Sequence, residues 1–246
     1  MPSTYAELRR QMSMAGKTDP GGVLVRALMN VVDTVQNPNP KYIRASSMHL
    51  GARQLAYIYS MTPPDKARFT ARTRRILRHG TAMHTKFQEE LAQTTDADLE
   101  LIETEREVKS DEFRLIGHID AVVAVRGKHY FVEYKSIHSA QWGMMKSPLP
   151  RHNWQAASYA VMTGLPGILV YDNKDSQELK TFLWSLTDEW RGKVIQKVKD
   201  AFSAVEGGAV LPLCEEGCSQ CPFHATCVAD RKKQGLPLED PEKVSA

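Results

Sequence analysis

A mixed α/β core with helices on both faces is the architecture the sequence predicts, and three observations predict it. Helical patterning runs from residue 47 to residue 93, three stretches of strand character separated by tight polar turns follow, and a helix, two more strands and a long helix close the order. At 246 residues the chain is long enough for one large core, alone or with an appendage. Hydrophobic residues at 42% and charged residues at 25% suit a soluble globular protein rather than a disordered or membrane-embedded one.

Residues 1–40 read as a helical appendage with a linker. Ser3 or Thr4 caps a short helix ending near Met14, Asp19-Pro20-Gly21-Gly22 breaks it, and a second helix spans Val23 to Val35. Gln36-Asn37-Pro38-Asn39-Pro40 is the linker. The main domain is then expected over residues 41–230. Helices are expected from Ser47 to Tyr59, Pro64 to Arg78 and Thr81 to Gln93, followed by an antiparallel meander of strands at Glu100–Val108, Phe113–Val125 and His129–Tyr134. A helix from His152 to Met162, strands at Ile168–Asp172 and Leu179–Leu186, and a helix from Asp188 to Val205 complete it. Residues 231–246 form a polar tail. No apolar run reaches membrane-spanning length and the first residues lack the apolar core of a secretory signal, so a cytoplasm is the expected compartment, that of a host if the chain is phage-encoded.

The chemistry concentrates in GHIDAVVAVRGKHYFVEYKS, residues 117–136. Valines and aromatics give both arms strand character and Gly127 supplies the turn. A two-residue turn at Arg126-Gly127, or a four-residue one, sets Val125 against Lys128 and counts back to Asp120 against Glu133; a three-residue turn slips the register and separates them. With the pair in register, alternation puts His118, Asp120, Glu133 and Lys135 on one face. Like charges directly opposed destabilise a sheet pair unless compensated, and a divalent cation held by carboxylate oxygens would compensate. The competing reading is a solvated hairpin face on which Glu133 and Lys135 neutralise each other. His84, in a helical segment, offers a further nitrogen ligand, and Gln155 and Tyr159 share a helix face at i, i+4.

His84, Asp120 after Gly117-His118-Ile119, the Glu133-Tyr134-Lys135 triplet and the Gln155-to-Tyr159 spacing resemble, in order and rough spacing, the RecB-type branch of the PD-(D/E)XK nuclease superfamily. The likeness runs from about Ile43 to Cys227. It implies a restriction-endonuclease-like fold, phosphodiester hydrolysis with Mg²⁺ or Mn²⁺ at His84, Asp120, Glu133 and the carbonyl of Tyr134, and Lys135, Gln155 and Tyr159 as further catalytic groups. Lys135 would position or deprotonate a water, or stabilise charge on the phosphorus oxygens. One cation or two would act. IRASSMHLGARQLAY resembles that branch's upstream segment and implies phosphate contacts at Arg44, Ser46 and Ser47, although the cysteine usual before Arg-Gln-Leu is missing.

All four cysteines, Cys214, Cys218, Cys221 and Cys227, fall within CEEGCSQCPFHATC. In a reducing compartment that spacing suits one tetrahedral metal or an iron–sulfur cluster better than disulfides. The last three resemble the distal triplet of cluster-bearing exonucleases, both CRISPR-associated and helicase-linked, with Cys214 replacing the missing upstream ligand. A [4Fe–4S] cluster is expected, with zinc as the alternative.

A net charge of +3 does not by itself imply nucleic acid, but Arg68, Arg72, Arg75 and His79 form a stripe at helical spacing that could follow a phosphate backbone, or remain a solvated basic face. Trp142 and Trp154 flank the loop after Lys135 and could stack on unpaired bases or pack in the core. The expected function is a DNA exonuclease acting on single-stranded ends, with 5′-to-3′ polarity by analogy, working beside a helicase, a recombination protein or a CRISPR-adaptation protein. An endonuclease on duplex or branched DNA and a non-catalytic DNA-binding scaffold are the alternatives, and the intact Asp, Glu and Lys count against the scaffold.

Overall fold

The structure, a computed structural model, describes residues 20–29, 39–65, 70–207 and 221–235. The helix expected near Met14, most of the linker, Arg68, Cys214, Cys218 and the residues after Gly235 lie outside them. By its internal contacts the chain divides into residues 1–36 with 69–79, and residues 37–68 with 80–246. In the first unit, helix α1 (Pro20–Met29) starts at Pro20, where a missing N–H costs nothing, and carries exposed Val23, Leu24, Val25 and Leu28.

The second unit holds one six-stranded sheet. Its elements are β1 (Ile43–Arg44), a 3₁₀ turn (Ala45–Ser47), α2 (Ala52–Tyr59), the latter part of α3 (Ala71–Ala92), β2 (Leu99–Ser110), β3 (Leu115–Val125), β4 (Lys128–Ile137), α4 (Ser139–Met144), α5 (Pro150–Thr163), β5 (Gly167–Asn173), β6 (Leu179–Trp184), α6 (Asp188–Gly207) and α7 (His224–Lys233). Four expectations change. The helix drawn from Ser47 begins only at Ala52, because the chain first makes a 3₁₀ turn that returns it to the sheet. The two helices drawn around residue 79 are one from Ala71 to Ala92, since an interior glycine such as Gly80 costs only about 1 kcal/mol and does not remove a hydrogen bond. A short helix, α4, occupies the stretch after Lys135, and α7 carries helix past Asp230 to Lys233.

The β3–β4 hairpin has the expected register, with Val125 paired to Lys128 and Ala121 to Val132. Arg126 (φ 50°) and Gly127 (φ 78°) both take positive φ, as a two-residue turn matched to strand twist requires, and Asp98 holds Arg126 through its main-chain oxygen and its carboxylate. Antiparallel β2 covers one edge of β3 from Leu115 to Val125. A strand has two edges, so β4, paired at 121–125, and parallel β1, paired at Leu115 and Ile116, must share the other. Between them, Gly117 to Asp120 face a gap in the sheet. β4 continues into parallel β5 and antiparallel β6.

Both faces are covered, as the sequence predicts. Met83, Phe87 and Leu91, one turn apart on α3, pack on Ala121, Val123, Val132, Tyr134 and Val170. The other face buries Phe131, Val122, Leu169 and Tyr171 under Ala156, Ala157 and Tyr159 of α5 and Val194 and Val198 of α6. Each large apolar side chain so buried contributes roughly 1.5–3 kcal/mol, which makes the sheet a rigid base for the gap. Among the described residues no helix is long and apolar enough to cross a membrane.

Candidate active site

Where β1 and β4 leave the edge of β3 uncovered, α5 fills the opening. The Tyr159 hydroxyl donates to the main-chain oxygen of His118 at 2.5 Å and accepts from Gln155 Nε2 at 3.0 Å. This is why residue 117 is glycine: a Cβ there would lie 2.7 Å from Tyr159 Cε1 and 3.0 Å from Ala45 Cβ. The predicted Gln155–Tyr159 pair is therefore brought to the predicted carboxylates, as the seal behind them.

Beyond Ala121 and Val132 the two strands part, one pair short of the expected Asp120–Glu133 match. The Asp120 carboxylate turns into the fork, where Oδ2 accepts the N–H of Tyr134 at 2.7 Å and Oδ1 lies 3.0 Å from His84 Nδ1. Gln88, one turn after His84, donates to the Asp120 main-chain oxygen (3.0 Å) and to Glu105 Oε1 (2.6 Å), tying β3 to α3. The one sequence signal for Gln88 is its i, i+4 relation to His84 on the same helix face. Glu133, 1% exposed, takes the Lys135 ammonium at Oε1, while Oε2 is buried with no partner.

Electrostatically these groups form one cluster. Burial, and to a lesser degree the charge of Asp120, push the Glu133 carboxyl up to about 7 against the pull of Lys135. For Lys135 burial acts downward, but Glu133 and Asp120 together win and raise it, so it stays an ammonium. His84 is likewise raised, Asp120 outweighing burial. Tyr134 sends its ring to the opposite face, against Phe87 (4.5 Å) and edge-on to His84 (5.2 Å), and its hydroxyl donates to buried Asp172 Oδ2 at 2.5 Å.

The other expected residues distribute as follows. His118 turns to Glu107 of β2 (3.4 Å), away from the carboxylate pair. Arg44 is half-buried on β1, and Ser46 and Ser47 form the adjoining 3₁₀ turn. Arg72, Arg75 and His79 lie on the first part of α3, in the first unit, and Arg68 is outside the described residues. Both tryptophans pack instead of offering a face to bases: Trp142 is 9% exposed beneath Lys180, and Trp154 lies between Trp190 and Lys197. Cys214 and Cys218 are not described. Cys227 is buried with Arg53 Nη1 3.9 Å from its sulfur, and the segment is held by Asp65, which caps α7 through Ala225 and Thr226, and by Tyr57 stacked on Phe223.

A divalent cation is tested against these donors by Glu133. A wholly buried carboxylate with one oxygen lacking any donor is costly unless protonated or bound to a cation, and Asp120 and His84 add the hard oxygen and imidazole nitrogen that Mg²⁺ or Mn²⁺ accept. The donor set fits. Among the described residues no three His, Cys, Asp or Glu side chains yet converge on one point, because Lys135 holds Glu133 while His84 and the Tyr134 N–H hold Asp120.

The description of the PD-(D/E)XK nuclease superfamily matches residues 52–228 of the sequence. No protein of curated function matches it. Among solved structures, SSO0001 is similar over 85% of this chain and 98% of its own, at 18% identity and a TM-score of 0.51, which speaks for the fold. An alkaline exonuclease, LHK-Exo, from Laribacter hongkongensis is similar over 68% of this chain and 89% of its own, at 12% identity and a TM-score of 0.47. With the family match spanning most of the chain, the sheet flanked by helices and the acidic fork identify the fold as restriction-endonuclease-like, and the protein belongs to the PD-(D/E)XK nuclease superfamily of metal-dependent nucleases.

Proposed function

We propose that the protein is a divalent-metal-dependent deoxyribonuclease of the RecB-type branch, an exonuclease working on single-stranded ends with 5′-to-3′ polarity. The observation that carries the hydrolytic reading is Glu133, buried beside Asp120 with an oxygen that no protein donor satisfies. Asp120, Glu133 and His84, with the carbonyl of Tyr134, would hold Mg²⁺ or Mn²⁺, which when bound supplies Lewis acidity to phosphate oxygens. The protein's own contribution is preorganisation. The Tyr134 N–H and His84 fix Asp120 in the fork, Gln88 fixes its main chain, and Gln155 with Tyr159 closes the opening behind it. Lys135, charged and anchored on Glu133, donates toward negative charge that builds on the phosphorus oxygens as the diester is attacked.

The single-stranded, end-directed reading is supported by the resemblance of the Cys218-Cys221-Cys227 triplet to cluster-bearing exonucleases. On that reading Arg44, Ser46 and Ser47 contact phosphate, and Arg68, Arg72 and Arg75 follow the backbone. The four cysteines hold a [4Fe–4S] cluster, with zinc as the alternative. The test is incubation with end-labelled linear and circular single-stranded DNA in Mn²⁺ or Mg²⁺ and then EDTA. Loss of linear substrate alone, stopped by EDTA, supports the exonuclease. Loss of both makes it an endonuclease, and binding without cleavage a scaffold. Iron and sulfide analysis of protein purified without oxygen tests the cluster.

A further inference from the structure

A cation stands at the N-terminus of α5, where the helix dipole disfavours it. Arg151 occupies the first turn of that helix, which contains no acidic residue to offset the positive end. Its side chain is exposed yet not loose: Nε donates to Nε2 of His152 at 3.0 Å. His152 is 6% exposed and shares its other nitrogen, Nδ1, with the Tyr171 hydroxyl at 2.8 Å. Because Nε2 accepts from arginine, the ring is neutral and its proton sits on Nδ1, donating to Tyr171. Burial, followed by the charges of Lys135 and Arg151, holds the ring in that neutral form well below the usual imidazole range, at about 3.

Tyr171 is paired with Lys135 across β5 and β4, so the two side chains leave the same face of the sheet. Leu149 N–H also donates to the Tyr171 hydroxyl, at 3.1 Å, fixing the turn that enters α5. A line of side chains thus runs from Lys135 through Tyr171 and buried His152 to Arg151. Among the described residues no carboxylate pairs with Arg151, so its positive charge stands exposed and uncompensated. His152 serves the fold through Tyr171, but an exposed cation tethered at the positive end of a helix with no carboxylate to pair it breaks a local rule, and such breaks gather at functional positions.

We propose that Arg151, aimed by His152, is a phosphate-binding residue that grips the DNA backbone beside Lys135, with its guanidinium fork on the oxygens of one phosphate. The inference rests on the nuclease reading above and extends its binding surface. His152 is a positioning residue.

The experiment measures binding of a fluorescein-labelled single-stranded 20-mer by anisotropy over a salt series in EDTA, with cleavage in Mn²⁺ measured in parallel. Each phosphate neutralised by a cationic side chain contributes about 0.7 to the salt slope on single strands, so Arg151→Met is expected to lower the slope by about that amount and to weaken binding, with the melting temperature unchanged. Arg151→Lys keeps the charge but not the Nε anchor and is expected to keep the slope while raising KM. His152→Gln, whose amide can still accept from Nε, is expected to retain more affinity than His152→Phe. An Arg151→Met protein with wild-type slope and affinity overturns the assignment. If wild-type protein neither binds nor cleaves, the nuclease reading fails first and takes this one with it; if it binds and cleaves while Arg151→Met is indistinguishable, only this inference fails.

Discussion

Replacing Gly117 with alanine is a test in which the sign of the effect decides. The new methyl would stand 2.7 Å from Tyr159 Cε1, where ordinary contact begins at 3.4 Å, and 3.0 Å from Ala45 Cβ. The tyrosine ring has little room to retreat: it is 2% exposed, packs edge-on against Phe131 at 5.7 Å, and is tied by its hydroxyl to His118 and Gln155. Overpacking of this kind costs about 1–3 kcal/mol. Alanine also narrows the unfolded ensemble, which stabilises by about 0.4–1 kcal/mol where the backbone allows it. The net expectation is a loss between about 0 and 2.6 kcal/mol, at most about 10 °C in Tm for a chain of this size. Because the ring that moves closes the back of the candidate active site, kcat should fall by about 10–100-fold. Gly80→Ala is the control: nothing lies within 4 Å of its added Cβ, and a helix interior gains about 1 kcal/mol from the change. Thermal melts and initial cleavage rates measure both. A Gly117→Ala protein that melts at or above wild type with full activity would refute the packing argument for the fork.

Three further outcomes are expected. The Glu133 carboxyl is raised, so its contribution to the stability of the metal-free protein is complete below the ordinary glutamate range and is lost as pH rises through about 7; Mn²⁺ competes with that proton, and the Tm gained on adding Mn²⁺ should be larger at pH 8 than at pH 6. A Mn²⁺ effect that is flat or falls over that interval contradicts it. Tyr134→Phe strips buried Asp172 of its hydroxyl donor and should cost about 1–3 kcal/mol in denaturant melts at pH 8; a loss under about 0.5 kcal/mol would show the hydrogen bond to be idle. Lys135→Met should lower kcat by about 10²–10³-fold with Mn²⁺ still bound, and a rate within threefold of wild type would remove the lysine from the chemistry.

Local pattern made the hairpin legible. Alternation along residues 117–136 and the Arg126-Gly127 turn fix the register that places Val125 against Lys128, and the i, i+4 rule places Gln155 beside Tyr159. The fork was not legible, because it depends on a two-residue strand, Ile43–Arg44, arriving from more than seventy positions upstream to share an edge with β4. One signal for it was present in Gly117, a glycine inside a strand, which commonly marks a close approach. Asp172 was similarly visible as a carboxylate in the apolar run ILVYDN, where a buried acid demands a partner. Gly80 misled, since a glycine weakens a helix without ending it. Packing accounts for both tryptophans: each lies under the ammonium of a lysine that sits over the indole face.

The account depends on Asp120 and Glu133 sharing a dication, and titration of Mn²⁺ into metal-free protein at pH 8 by calorimetry measures that directly. Wild type should bind Mn²⁺ at the fork, and Asp120→Asn/Glu133→Gln, in which the asparagine oxygen can still accept the Tyr134 N–H and the glutamine oxygen the Lys135 ammonium, should lose that binding while remaining folded. Equal Mn²⁺ affinity and stoichiometry in the two proteins would contradict it.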